Sequence, residues 1–174
     1  AHGEGRVMKL LPGDRDPRSG QRIPEDFLVD QGVSRYAPED HRMWRTLYAR
    51  QTPLLRGRVV DEFHRGLAAL GVTADRIPDF ERLSRKLHAA TGWRIVAVPG
   101  LVPDEVFFAH LAARRFPAGY WIRKPEDIDY IEEPDVFHDV FGHAPLLMQP
   151  SYADYMQAYG AAGLRLAGSP DLRR

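Results

Sequence analysis

Two histidines five residues apart, His138 and His143, sit in the run Phe137-His138-Asp139-Val140-Phe141-Gly142-His143-Ala144-Pro145-Leu146-Leu147, just after Glu132-Glu133-Pro134-Asp135. Imidazoles in apolar surroundings with carboxylates close by are the makings of a nitrogen and oxygen metal site. Two histidines and one carboxylate with open positions are the ligand set of non-haem Fe(II) oxygenases. The bland alternative is a pair of ordinary helix-end histidines, one of them bonded to a carbonyl. On a regular helix, residues five apart are separated by about 140° around the axis, so the two would not share a face. The zinc-protease pattern spaces its histidines four apart with a glutamate between them, which this segment lacks. A helix break at Gly142, reinforced by Pro145, would let His143 swing back toward His138. Asp139 then reads as a carboxylate orienting a ligand, or as a solvated acid.

Composition narrows the chemistry further. The sequence has 174 residues, 44% of them hydrophobic, enough for one domain with a core. Its 24 basic and 24 acidic residues cancel, so nothing favours a nucleic-acid backbone or an anionic membrane surface. No cysteine is present, which removes thiolate ligands and nucleophiles and leaves His, Asp and Glu. No apolar run approaches the roughly 20 residues that span a bilayer, and the expected compartment is the cytoplasm.

The elements that must position the histidines are mainly helical. Residues 1–37, rich in Gly, Pro and charge, read as a flexible arm, and residues 38–174 as part of one domain. Helices are expected from Pro38 through Trp44, Leu47 and Tyr48, from about Val59 to Gly71, from Asp79 to Gly92, and from Pro103 to before Pro117. Another starts at Pro134-Asp135, and a last one at Ser151, capped with Asp154 and closed by Gly160. Short strands are expected at Trp93–Val98, Gly119–Arg123 and Asp127–Ile131.

At these residues the chain resembles the pterin-dependent aromatic amino acid hydroxylases, in particular the short bacterial members that act on phenylalanine. The histidine run resembles their iron-ligand signature. The likeness extends through Leu47-Tyr48-Ala49-Arg50-Gln51, Ile95-Val96-Ala97-Val98-Pro99-Gly100-Leu101-Val102-Pro103, Arg114-Arg115-Phe116-Pro117 and Ala153-Asp154-Tyr155-Met156-Gln157-Ala158-Tyr159-Gly160. It is nearly continuous from about residue 34 to 163.

The resemblance implies the catalytic-domain fold of that family, mainly α with a few short strands and incomplete at its C-terminus. It implies Fe(II) held by His138 and His143 and a tetrahydropterin against Val98, Gly100, Leu101 and Phe107, with Asp139 near it. It further implies L-phenylalanine with its carboxylate on Arg123 and its ring beside Glu133 and Pro134, hydroxylated by O2 to tyrosine in a monomeric enzyme. Gly100 suits a flat ligand approaching the backbone. An arginine fork suits a carboxylate.

The departure lies at the third ligand. The family's glutamate, in a Tyr-Trp-x-x-x-Glu-Phe-Gly context, has no counterpart after Gly163. Expectations therefore divide between a fragment of a working hydroxylase, a shortened chain without activity that is prone to associate, and a zinc-dependent hydrolytic domain reusing the two histidines.

Overall fold

Proline and glycine set the boundaries of the first three helices in the computed structural model, which describes residues 9–168. Helix α1 (Pro38–Leu55) opens on a proline whose missing N–H would have had no partner there, and Asp40 accepts a hydrogen bond from Ala37 N at 2.8 Å. Helix α2 (Asp61–Leu70) stops at Gly71, left-handed at φ 69°. Helix α3 (Phe80–Thr91) is capped by the Asp79 carboxylate, which accepts from Glu81 N at 2.8 Å and from Arg82 N.

Strand β1 (Arg94–Val98), helix α4 (Asp104–Ala112) and strand β2 (Arg115–Gly119) follow as a parallel β-α-β unit, with Ile95 opposite Phe116 and Val98 opposite Gly119. The second strand thus lies earlier than the expected Gly119–Arg123. Pro117 hides it from a sequence reading, although a proline is tolerated where a strand has only one hydrogen-bonded neighbour. No strand forms at 127–131, where Pro125–Asp127 turns as a short 3-10 helix among exposed acids.

The helix expected from Pro134-Asp135 instead begins at Val136 and passes at once into a π-helical turn, Phe137–Phe141. Gly142 and His143 continue it, and Ala144–Met148 tighten into a 3-10 helix at Pro145. Helix α5 (Pro150–Ala167) follows. The expected Ser151 cap is absent, because Pro150 is already the first helical residue and Asp154 pairs with Arg114. Nor does Gly160 end this helix. It lets α5 press onto α4, since a Cβ there would lie 2.5 Å from Ala112 N; at Gly163 one would lie 2.3 Å from the Phe108 ring.

Trp44, Leu87, Trp93, Leu111, Val136, Val140 and Leu147 form the buried centre. A second, smaller cluster joins Leu10, Ile23 and Phe27 to Val98. Residues 9–37 therefore pack against the domain where the sequence suggests a loose arm, and residues 1–8 lie outside the described residues. Three buried apolar side chains and the hydrogen bond from Val29 N to Ala97 O (3.0 Å) offset the ordering of that polar segment. Among the described residues no helix is long and apolar enough to cross a membrane.

Candidate metal centre

The π turn brings the two histidines together. Its hydrogen bonds run from residue i+5 to i, which widens the turn and brings residues five apart closer to one face than a regular helix would. The His138 and His143 ring centres are 5.3 Å apart, and donor atoms of His138, Asp139 and His143 all lie within 4.8 Å of one another. Gly142, expected as a break, has helical angles (φ −75°, ψ −36°). Convergence comes from a wider turn, not from an interrupted one. The turn's other face is fixed by aromatic packing: Phe137 stacks on Phe141 at 4.7 Å and meets Trp44 edge-on at 5.1 Å.

Asp139 holds His138 from the side. Its Oδ1 lies 3.2 Å from His138 Nδ1, and its Oδ2 accepts from Gly119 N at 2.8 Å. With Nδ1–H donating to this carboxylate, the Nε2 lone pair of His138 is left for a ligand. The hydrogen bond to Asp139 raises the His138 pKa, whereas burial lowers that of His143, whose ring stacks on Phe116 at 5.1 Å. Two convergent imidazoles, one oriented by a carboxylate and one kept neutral by burial, fit a borderline metal such as iron.

Two cavities meet at this pair. The larger, about 810 Å³, is lined by Arg123, Phe137, Leu54, Val60 and both histidines. The smaller, about 530 Å³, is lined by Val98, Gly100, Leu101, Phe107 and Asp139, again with both histidines. Every residue expected at the pterin thus shares one cavity, while Arg123 faces the other.

Three expectations need correction or refinement. Pro134 lines the smaller cavity and not the one that holds Arg123. Glu133 lines neither; it is buried behind Gly100, with Oε2 3.2 Å from where a glycine Cβ would project, and pairs with Arg18 at 3.6 Å. The fork of Arg123 is already occupied, because Nε and Nη2 donate to Asp135 at 2.8 and 3.0 Å. Only its remaining N–H groups can turn to a ligand in the cavity.

Asp135, one of the acids that the sequence sets close enough to approach an ion, instead anchors Arg123 and the start of the histidine segment. Fully buried, it accepts from Arg123 N (3.1 Å) and His138 N (2.9 Å) besides the guanidinium. An aspartate three residues before His138 has helix-capping spacing, and that was the available signal. Tyr152, Met156 and Tyr159 of α5 also wall the smaller cavity. Their stripe was visible as helical periodicity, which cannot say that part of it faces a cavity.

The chain as a whole is similar to known proteins. The chain is 60% identical over 148 residues to a phenylalanine-4-hydroxylase of Ralstonia nicotianae, an alignment covering 85% of this chain and 47% of that protein. Phenylalanine hydroxylase of Chromobacterium violaceum, solved with iron(III) and 7,8-dihydrobiopterin, superposes with a TM-score of 0.78 at 60% identity, over 80% of this chain and 51% of that one. Its iron- and phenylalanine-bound structure gives a TM-score of 0.80 at 54% identity, over 88% and 55%. The chain spans about half the length of the relatives it matches. A model of the biopterin-dependent aromatic amino acid hydroxylases matches residues 18–172, and to that family the chain belongs.

Proposed function

We propose that these residues form the iron- and pterin-facing half of a phenylalanine 4-monooxygenase site, which converts L-phenylalanine to tyrosine with O2 and a tetrahydropterin. The observation that carries the reading is the junction of two cavities at one pair of histidines, with the pterin-type lining on one side and an arginine on the other. Bacterial relatives that bear the name phenylalanine-4-hydroxylase support it.

Within that site His138 and His143 would hold Fe(II), which with the reduced pterin would supply the electrons that activate O2. The chain's own residues bind and orient. Phe107 and the backbone at Gly100 accept the flat pterin. Arg123, immobilised by Asp135, presents its free N–H groups to the amino-acid carboxylate. Phe137 and Leu54 line an apolar wall for the substrate ring and exclude water. Asp139, whose oxygens meet His138 Nδ1 and Gly119 N, orients a ligand.

The 174 residues thus provide two imidazoles, and the expected outcome for this chain alone is weak metal uptake with little turnover. Its partners are small molecules, and we place it in the cytoplasm as a monomer. The test joins residues 1–163 to the remaining C-terminal part of the Ralstonia relative and supplies Fe(II), a tetrahydropterin and phenylalanine. Tyrosine formation abolished by His138→Ala is expected. A folded, iron-loaded chimera that forms no tyrosine overturns the reading.

A further inference from the structure

We infer that Arg18 is a positioning residue for the reduced pterin, which holds the loop at residues 99–103 in its ligand-accepting shape through Pro99 and Glu133; the inference rests on the pterin reading of the smaller cavity. Arg18 is not among the residues that line that cavity. Its guanidinium nevertheless grips the loop from behind, with Nη1 donating to Pro99 O at 3.1 Å and Nη2 lying 3.6 Å from Glu133 Oε2. The same group lies over the Trp121 ring, its central carbon 4.5 Å from the ring centre. Glu133 in turn backs Gly100, so one planar cation ties the loop's carbonyl to the carboxylate beneath its glycine.

Arg18 can do this because its own backbone is pinned. Arg18 N donates at 3.1 Å to Oδ1 of Asp16, a fully buried carboxylate that also accepts from the Tyr120 hydroxyl. Beyond it the chain passes beneath the loop, where Ile23 and Phe27 pack with Val98, and Val102 and Val106 join from the loop and α4. A last pin fixes α4, the helix that bears Phe107: His110 Nε2 donates to Asp26 O at 2.7 Å, while its Nδ1 accepts from Arg115 Nε at 3.0 Å. The segment read from sequence as a loose arm is therefore a strap under both pterin-facing elements. Removing the guanidinium leaves Glu133 buried without its cation, and the carboxylate must turn out through the loop to reach water.

The test titrates the 174-residue chain with 7,8-dihydrobiopterin by calorimetry, and separately with Co(II) by its visible absorption at His138 and His143. Arg18→Gln is expected to weaken dihydrobiopterin about tenfold and to leave Co(II) affinity unchanged. Arg18→Lys is expected to fall between, because an ammonium can reach Pro99 O or Glu133 but cannot fork across both. Should Arg18→Gln be poorly folded, Glu133→Gln interrupts the same link and is expected to weaken dihydrobiopterin severalfold. Unchanged pterin affinity in the folded variants, or an equal loss of pterin and Co(II), overturns the role of Arg18. Failure of the unsubstituted chain to bind dihydrobiopterin overturns the pterin reading itself and the inference with it. Binding that Phe107→Ala weakens but the Arg18 and Glu133 variants leave intact overturns the inference alone.

Discussion

Arg123 and Asp135 meet fork to fork, and the same Asp135 oxygen that accepts from Arg123 Nη2 at 3.0 Å accepts from His138 N at 2.9 Å. One buried carboxylate therefore fixes both the guanidinium that faces the larger cavity and the first turn of the histidine segment. Asp135→Asn breaks a nearly buried ion pair, leaves the Arg123 charge uncompensated, and is expected to cost about 3–5 kcal/mol. Urea unfolding measures the loss. A change within the range of an exposed pair, below about 1 kcal/mol, would contradict the coupling.

Metal binding should separate from stability at His138. Its side chain is half exposed, so His138→Ala removes little packing but takes away one of two convergent donors. Co(II) or Fe(II) uptake is expected to disappear in His138→Ala and His143→Ala, with the unfolding transition of His138→Ala close to that of the parent chain. Undiminished uptake in either variant would rule out the ligand assignment.

The glycines discriminate between a broken helix and a π turn. A Cβ at Gly142 meets nothing within 4 Å, and its angles are helical. Gly142→Ala is thus expected to retain metal binding and to gain about 0.5–1 kcal/mol. Gly160→Ala, by contrast, drives a methyl group into the α4 backbone and is expected to lose about 1–3 kcal/mol. Paired denaturation curves check the opposite signs. A Gly142→Ala variant that no longer binds metal would argue for a break at that residue after all.

Stability should decline in alkali through buried Tyr120 and half-buried Tyr36. Burial first, and then the hydrogen bond to Asp16, push the Tyr120 pKa up to about 12, and burial raises that of Tyr36 further. A tyrosine in the unfolded chain ionises near 10. The folded state holds these protons more tightly, so their contribution is complete below about pH 10 and is lost as pH rises through about 12. Tyr120→Phe removes a donor from buried Asp16 and is expected to cost about 1–3 kcal/mol near neutrality, with a shallower alkaline decline. Unfolding free energies that stay flat between about pH 10 and 12 would contradict the assignment.

Helix limits that depend on local chemistry could be read from the sequence: Pro38, Asp79, Gly71 and Gly92 act within one turn of themselves. The candidate histidines were legible for the same reason, as residue types at a fixed spacing. What escaped was set by tertiary contact. Gly160 has the look of a helix stop, yet its role depends on α4 lying against it. Pro117 argues against a strand until the strand proves to have a single partner. Residues 9–37 look too polar to pack, because Ile23 and Phe27 are few and far apart in sequence; their cluster is completed only by Val98 across the fold. Asp135 carries its capping spacing in plain view, but its link to Arg123 spans twelve residues whose regular structure is limited to the short 3-10 turn at Pro125–Asp127.

The extra residue in the Phe137–Phe141 turn also acts as a phase shifter. Removing one residue between His138 and His143 would leave a spacing of four, and an ordinary helix would still set both imidazoles on one side. Everything downstream would then rotate by about 100°, turning the buried Ala144 and Leu147 away from the core. The wide turn thus reconciles two angular demands that a uniform helix cannot meet together: convergent histidines, and a correctly aimed apolar face after them.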